Sequence, residues 1–441
     1  MSDVPLGSMA RLRRLAFKQG GGGDAILSFG VRIGGSLVTF LSQLLIARWM
    51  GLADFGIFSN AWVWVTLAGT LAQLGMASST TRFAASALER QDLAGVKGIV
   101  IFSQLAVFAI SLLTTGVIAS LVSLPALALT GGQKEALLIG CLCIPLFAQV
   151  DIGKGIARAD GPAWLAYLPS FMLRPVLFLA TLGTFHALGL PINAPAAVWA
   201  MLVALLLTWV VQWAVIRHHL GPALKGPPRY EPRAWLGGSW AIVAVDGYFM
   251  LVTSIDVMLV NAISGPEAGG AFYAASRLAA LVSYVMFAIS AISSAQLARL
   301  HAAGRHDELT ALVKKFVVWS FWPTLLAALL MAAGAPLALG LFGPDFVSAS
   351  PLLTILLIGL VVQAAAGPTK FLLLMTGEQN HLALALCGCA VLAVILDLVL
   401  IIQFGPMGAA MGTTITICVA TTAMVWLVRR RLGFWSIIGA R

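Results

Sequence analysis

The chain alternates long apolar runs with short polar punctuation. Residues 98–133, 175–216, 316–344, 346–369 and 398–428 contain no Asp, Glu, Lys or Arg. Each is longer than the roughly 20 apolar residues that cross a bilayer as a helix. Read with their capping and loop residues, the runs predict twelve spans: 26–49, 55–78, 98–122, 136–157, 163–187, 195–216, 238–262, 268–296, 316–342, 348–375, 381–404 and 407–428. Pro145, Pro169, Pro175, Pro323 and Pro368 fall inside spans, where proline marks a kink rather than an end. The expected fold class is an all-α polytopic membrane protein.

The two halves of the pattern resemble each other. Gly51, Gly56 and Phe58 in MGLADFGIF recur as Gly265, Gly270 and Phe272 in SGPEAGGAF, 214 residues later. The loop LERQDLAGVKG recurs loosely as AGRHDELTALVKK. An even number of spans per half makes the halves parallel, related by an axis along the membrane normal. The predicted organisation is a basic tail (1–25), a six-helix bundle (26–216), a linker (217–237), a second pseudo-symmetric six-helix bundle (238–428) and a second basic tail (429–441).

Composition agrees with the pattern. Hydrophobic residues make up 60% of the 441-residue chain and charged residues only 10%, too few to coat a soluble protein of this size. The net charge of +10 suggests a nucleic-acid partner only until its distribution is considered. With the N-terminus inside, the expected cytosolic segments hold 21 of the 27 Lys and Arg, and the outer side holds only Arg48 and Lys134. That asymmetry is the positive-inside pattern and predicts an N-in, C-in topology with no nucleic-acid partner. The five cysteines all lie in apolar runs, as small packing residues rather than a disulfide framework. The hydrophobic stretch after the basic N-terminus is too long for a cleavable signal. The six histidines show no metal-ligand spacing, and no GxxxxGK[ST] phosphate loop is present. No connecting segment is much longer than twenty residues, which leaves no room for a soluble catalytic domain. The chain reads as a transporter without a bound cofactor rather than an enzyme.

Charges within spans carry the functional expectation, because each costs roughly 2.5–3.5 kcal/mol at a helix centre unless it faces water or a partner. Arg32 shares a face with Ser28, Ser36, Thr39 and Gln43; Arg277 shares one with Tyr273 and Tyr284. Arg174 lies beside Pro175 with no carboxylate on its own helix. These faces are predicted to line a hydrated cavity. Ser239, Asp246 and Thr253 are spaced by sevens; Asp246, Asp256 and Asp397 are candidates for ion coupling. Asp256 and Arg277 also form a candidate ion pair across adjacent spans. Asp151, three residues before Lys154, reads as an interfacial pair, and Lys370 as a snorkelling lysine.

The segments LLIARWMGLADFGIFSNAWVWVTLAGTLAQLGMASSTTRF and GGAFYAASRLAALVSYVMFAISAISSAQLARLHAAGRHDEL resemble the first hairpin, and the eighth helix with its following loop, of lipid-linked oligosaccharide flippases. These form the polysaccharide transporter family of the multidrug/oligosaccharidyl-lipid/polysaccharide exporter superfamily. The resemblance implies two lobes around a cationic cavity whose arginines grip the diphosphate of a polyprenyl-diphosphate sugar, moved to the outer leaflet of a bacterial inner membrane by alternating access. It places Arg32 and Arg277 where related lipid II flippases carry arginines. The second span lacks an interior basic residue and the chain lacks an extra pair of C-terminal spans, which points to a sugar-lipid other than lipid II. The implied partners are the lipid-linked sugar, membrane lipids and polysaccharide-assembly enzymes, around a monomer driven by H+, Na+ or the membrane potential. The alternative is an ion-coupled multidrug or metabolite exporter of the same superfamily, which separates from the first by the sign of its cavity: buried arginines favour an anionic cargo.

Overall fold

The computed structural model describes residues 23–125, 129–160, 163–221, 226–237 and 240–439. The basic residues Arg11, Arg13, Arg14 and Lys18 of the predicted N-terminal tail lie outside the described residues. Among those described there is no strand. Among the described residues eleven helices are long and apolar enough to cross a membrane, and the first of these stretches, Gly30–Ala72, has 43 residues. At 1.5 Å per residue that is twice the hydrocarbon thickness. It belongs to α1 (Gly23–Ala72), which is bent at Gly51 (φ 74°, ψ 179°) and therefore supplies two crossings. All twelve expected spans thus have a helical counterpart.

The first lobe continues through α2 (Met76–Glu89), α3 (Leu93–Ser123), α4 (Gly131–Asp160), α5 (Ala163–Leu168), α6 (Arg174–Ala187) and α7 (Ala194–Leu220). A short helix, α8 (Pro232–Gly237), lies in the connection. The second lobe comprises α9 (Trp240–Val252), α10 (Ile255–Ser264), α11 (Pro266–Ala302), α12 (His306–Ala333), α13 (Ala335–Gly340), α14 (Ser350–Ala365), α15 (Thr369–Met375), α16 (Gln379–Phe404) and α17 (Pro406–Leu432).

Several spans differ from their sequence-based outlines, each for a local reason. The expected loop at 50–54 is a single-residue elbow, because only Gly51 leaves the helical region. The second span stops at Ala72, where Leu74 and Gly75 take positive φ. The fifth widens into a π turn at Pro169–Leu173 ahead of Arg174; Pro175 offers no N–H to the turn before it, and a wider turn relieves the clash. Pro368 coincides with the break between α14 and α15, while Pro145 and Pro323 sit inside continuous helices. The seventh span, expected to be continuous, is broken at Thr253–Ser254 between α9 and α10.

The repeat seen in the sequence is also a contact. Gly265 (φ 89°, ψ 171°) repeats the elbow of Gly51, so α10 and α11 are joined as the two arms of α1 are. The glycines five residues beyond each elbow then pack against one another. A Cβ on Gly56 would lie 1.8 Å from the Pro266 carbonyl oxygen; one on Gly270 would lie 2.5 Å from that of Leu52 and 3.0 Å from the Gly56 nitrogen. The two elbows therefore meet back to back about the pseudo-twofold axis, at a separation only glycine permits.

Burial follows the same geometry. At the elbow end one apolar core crosses between lobes, with Ile46, Phe55 and Phe58 packed with Tyr273, Phe342 and Phe346. Toward the other end the core divides. One part, with Met76, Val96, Ile152 and Ile216, belongs to the first lobe and captures Trp235 from α8. The other, with Val245, Val313, Leu372 and Leu427, belongs to the second. The lobes are closed together at the elbows and apart at the opposite end.

Candidate functional site

Where the shared core gives way to the two separate ones, a cavity of about 610 Å³ lies between the lobes. The first lobe contributes Thr39 and Gln43 from the first arm of α1, Trp62, Thr66 and Thr70 from its second arm, and Arg174 from the start of α6. From the second come Thr253, Ser254 and Asp256 around the α9–α10 break, Ser276, Arg277 and Ser283 from α11, and Thr413 and Thr421 from α17. Hydroxyls dominate the polar lining, and the charged groups are two arginines and one aspartate. Thr39 and Thr253 are 214 residues apart, the offset of the glycine repeat, and face the cavity from opposite lobes.

Arg174 is held by aromatic rings. Its guanidinium carbon lies 5.3 Å from the Trp62 ring centroid and 5.9 Å from that of Phe147, and the π turn before it swings this side chain toward the second arm of α1. Asp151 is instead occupied by Lys154, at 2.5 Å, and accepts a hydrogen bond from Gln73 at 3.3 Å, as expected for an interfacial pair. Arg277 stands 4.4 Å over the Tyr273 ring, and its Nε is buried without a hydrogen-bond partner. The Tyr273 hydroxyl accepts a hydrogen bond from Gln43 Nε2 at 3.2 Å, across the lobe boundary. Tyr273 itself is fully buried: it is a floor for Arg277, not a wall of the cavity.

The remaining expected residues separate from this group. Arg32 does not line the cavity; its guanidinium sits 4.2 Å from the Phe287 ring of the second lobe, 4.9 Å from Tyr167 and 5.6 Å from Phe171. It fills the seam between α1 and α11. Ser36 is half-buried and Tyr284 is 38% exposed, and neither reaches the cavity wall. Among the described residues, Arg32, Arg174 and Arg277 make no ion pair with a carboxylate. The expected Asp256–Arg277 ion pair is not formed: both residues line the cavity, but the Asp256 carboxyl is engaged by Thr413 instead. The side chains of Asp246, Ser28 and Ser239 lie outside those described.

Asp256 begins the first turn of α10 and accepts a hydrogen bond from the Thr413 hydroxyl of α17. Its carboxyl also meets that of Asp397 on α16 within hydrogen-bonding reach. Asp397 is seated against Gly412, where a Cβ would lie 2.1 Å from Oδ1. Two carboxyls so close, both largely shielded from solvent, favour a proton or a cation shared between them. The free Oδ1 atoms of both, with Thr416 Oγ1 and Asn261 Oδ1, are buried acceptors lacking a donor. Sequence reading named both aspartates but missed Thr413 and the break beside Asp256. The polar pair Thr253–Ser254 inside an apolar span was the available signal.

At the elbow end the site is roofed. Phe55 packs against Tyr273, Phe342 and Phe346 with ring centroids 5.7, 6.3 and 5.7 Å away. Arg48 Nε donates across the lobes to the Leu341 carbonyl at 2.7 Å.

Residues 23–146 match the family of polysaccharide biosynthesis proteins. The whole fold matches solved transporters. One is an inward-facing multidrug resistance MATE family transporter of the MOP superfamily, at 16% identity over 93% of this chain and 98% of that one, with a TM-score of 0.73. An outward-facing MATE transporter of the same superfamily matches at 17% identity over 93% and 95%, with a TM-score of 0.64. A MOP superfamily transporter from Pyrococcus furiosus, described by a binding pocket of reverse polarity, matches at 17% identity over 93% and 94%, with a TM-score of 0.63. No curated protein sequence matches the chain. The family match covers residues 23–146, and the likeness over the rest of the chain is one of fold: a two-lobed helical frame shared with MOP superfamily transporters. The TM-score is higher against the inward-facing structure than against the outward-facing one, in keeping with cores joined at one end and divided at the other.

Proposed function

We propose that this membrane transporter is a flippase that carries a polyprenyl-diphosphate-linked oligosaccharide from the cytosolic to the outer leaflet by alternating access. The observation that carries the reading is the pair Arg174 and Arg277, one from each lobe, on the wall of a single interlobe cavity and unpaired with any described carboxylate. Guanidinium groups bind phosphate oxygens in a planar, bidentate manner. Cation–π contacts hold both in place without neutralising them. Hydroxyls around them suit a sugar, and Trp62 offers a flat apolar face to a pyranose ring.

The cavity opens away from the elbows, the end that the Lys and Arg distribution assigns to the cytosol. In this reading the substrate enters there, the lobes rock about the α1–α11 seam, and the elbow contacts part on the outer side. An inside-negative potential favours outward movement of a dianion by roughly 2.3 kcal/mol per charge per 100 mV. The Asp256–Asp397–Thr413 group is the coupling site, taking up a proton or Na+ to reset the empty carrier. The protein works as a monomer in a bacterial cytoplasmic membrane, N-in and C-in, beside the enzymes that assemble the glycan.

The test is reconstitution of the protein in liposomes carrying a fluorescent polyprenyl-diphosphate sugar. Arg277→Ala and Arg174→Ala should each lower flipping about 10- to 100-fold, equivalent to about 1.5–3 kcal/mol for a charge-assisted contact. Normal flipping in the double variant refutes the proposal. The exporter reading instead requires efflux of a cationic drug that survives both substitutions.

A further inference from the structure

A second pocket of about 550 Å³ lies far from the cavity, at the end of the second lobe opposite the elbows. It is formed where the last turns of α11 meet the first turns of α12, and shares no lining residue with the central cavity. Its polar groups are Gln296, Arg299, Arg305, Glu308 and Lys315. The one carboxylate among them is already taken: Glu308 Oε1 accepts from Arg305 Nε at 2.5 Å. Arg299 and Lys315 make no ion pair among the described residues, so the pocket keeps an excess of positive charge.

What continues from the pocket is apolar. Lys315 Nζ stands 4.8 Å over the Trp319 ring. Beyond it on α12, Trp319, Trp322, Leu326, Leu329 and Leu330 are 53–67% exposed. Spacings of four, three, four and three or four residues put them on one face of the helix. A cationic recess at a helix end, aromatic rings just below it, then a lane of aliphatic side chains has the polarity profile of one phospholipid molecule.

We infer that this pocket binds the phosphate headgroup of an anionic phospholipid, with Arg299 and Lys315 on the phosphate and the acyl chains lying along the exposed face of α12. The site belongs to the leaflet at the end where the lobes stand apart. A lipid held there bridges α11, whose other end carries the Gly270 elbow contact, to α12, and so steadies the second lobe as a unit. The inference does not depend on what the central cavity carries.

The experiment compares the full-length protein in nanodiscs of phosphatidylcholine alone with nanodiscs also containing phosphatidylglycerol. Phosphatidylglycerol should raise the unfolding temperature of the unaltered protein. Arg299→Gln/Lys315→Gln should lose most of that rise, with apparent affinity falling about thirtyfold, the effect of removing two basic groups from an anionic surface. Arg217→Gln, a basic residue of the first lobe, should keep it. If the double variant does not fold, native mass spectrometry of the single variants, counting retained phosphatidylglycerol, gives the same comparison. An equal rise in the double variant, no rise in the unaltered protein, or an equal rise from inorganic phosphate without the lipid overturns the inference. Arg174→Ala and Arg277→Ala should leave the lipid response unchanged, so failure of the flipping proposal and failure of this one are read separately.

Discussion

The two ends of this molecule are built from the same repeated sequence, yet they pack in opposite ways. At the elbow end, backbone meets backbone: Gly56 and Gly270 approach so closely that either Cβ would strike a carbonyl, and aromatic rings from both lobes close above them. At the other end each lobe keeps its own core, and the space between is left to hydroxyls and two arginines. Close-packed apolar seams are strong but all-or-none, because dispersion contacts are lost within a fraction of an ångström. The alternating access proposed above needs a seam of that kind at one end while the other stays parted. In that reading the repeat supplies the symmetric pivot and departures from the repeat supply the proposed cargo site: Arg174 has Gly388 at its equivalent position, and Arg277 has Val63.

The elbow contact offers the severest way to break this comparison. Gly56→Leu drives a side chain into the Pro266 carbonyl, with backbone rather than a movable side chain in its path. Overpacking of this kind costs about 1–3 kcal/mol. Because both lobes share the seam, the loss should appear as a lowered unfolding temperature together with transport below ~10% of normal, since ~1.4 kcal/mol already shifts a closed–open balance tenfold. Gly116→Leu, with open space around its Cβ, should change neither. Equal effects of the two would show that the elbows do not seal the molecule.

Accessibility sharpens the same contrast. In a background without native cysteines, Thr70→Cys on the cavity wall should react readily with a water-soluble maleimide. Phe346→Cys under the aromatic roof is 1% exposed in its native form and should react at least ~10-fold more slowly, each tenfold step reporting ~1.4 kcal/mol of opening. Matching rates would mean that the two ends are equally parted.

Much of this was legible in the sequence, and the reasons are physical. A span announces itself because an unsatisfied charge in hydrocarbon is too costly to scatter, so the apolar runs located all twelve crossings. The elbows were visible as a repeat of glycines, since few other residues permit that approach. Side-chain direction was less legible. The face shared by Arg32, Thr39 and Gln43 is real along α1, but the helix runs past the end of the cavity, and Arg32 finds three aromatic rings in the seam instead. Helical periodicity fixes an angle about the axis and says nothing of what stands opposite at each depth. Asp256 and Asp397 were noted singly; their meeting depends on the break at Thr253–Ser254 and on how α16 and α17 are packed, which is tertiary information.

That pair gives a subtler way to sharpen the comparison. Asp256→Asn keeps the size of the side chain and an acceptor for Thr413, while removing one of two facing charges. The variant should fold with stability close to the parent, because the change removes a like-charge contact as well as a ligand. If the carboxyl pair links ion uptake to which end is closed, Thr70→Cys labelling should respond to Na+ or to pH in the parent background and cease to respond in Asp256→Asn. A response that persists in both would detach the carboxyls from the movement of the lobes.

The smallest expected effect comes from the hydrogen bond between Gln43 and Tyr273 that joins the lobes on the cavity floor. Tyr273→Phe removes the hydroxyl that accepts from Gln43 Nε2 but keeps the ring beneath Arg277. A neutral hydrogen bond contributes about 0.5–1.5 kcal/mol, and a buried amide left without its partner costs about 1–3 kcal/mol. The floor sits on the closed side of the cavity, so this loss should loosen the elbow end alone: Phe346→Cys labelling should rise severalfold while Thr70→Cys labelling stays constant. Tyr273→Leu also removes the ring that supports Arg277, and should add a loss of phosphate affinity. The difference between the two substitutions separates holding the lobes together from positioning the arginine. If Tyr273→Phe alone abolished cargo binding, the hydroxyl itself would have to meet the substrate, and the floor of the cavity would be a wall after all.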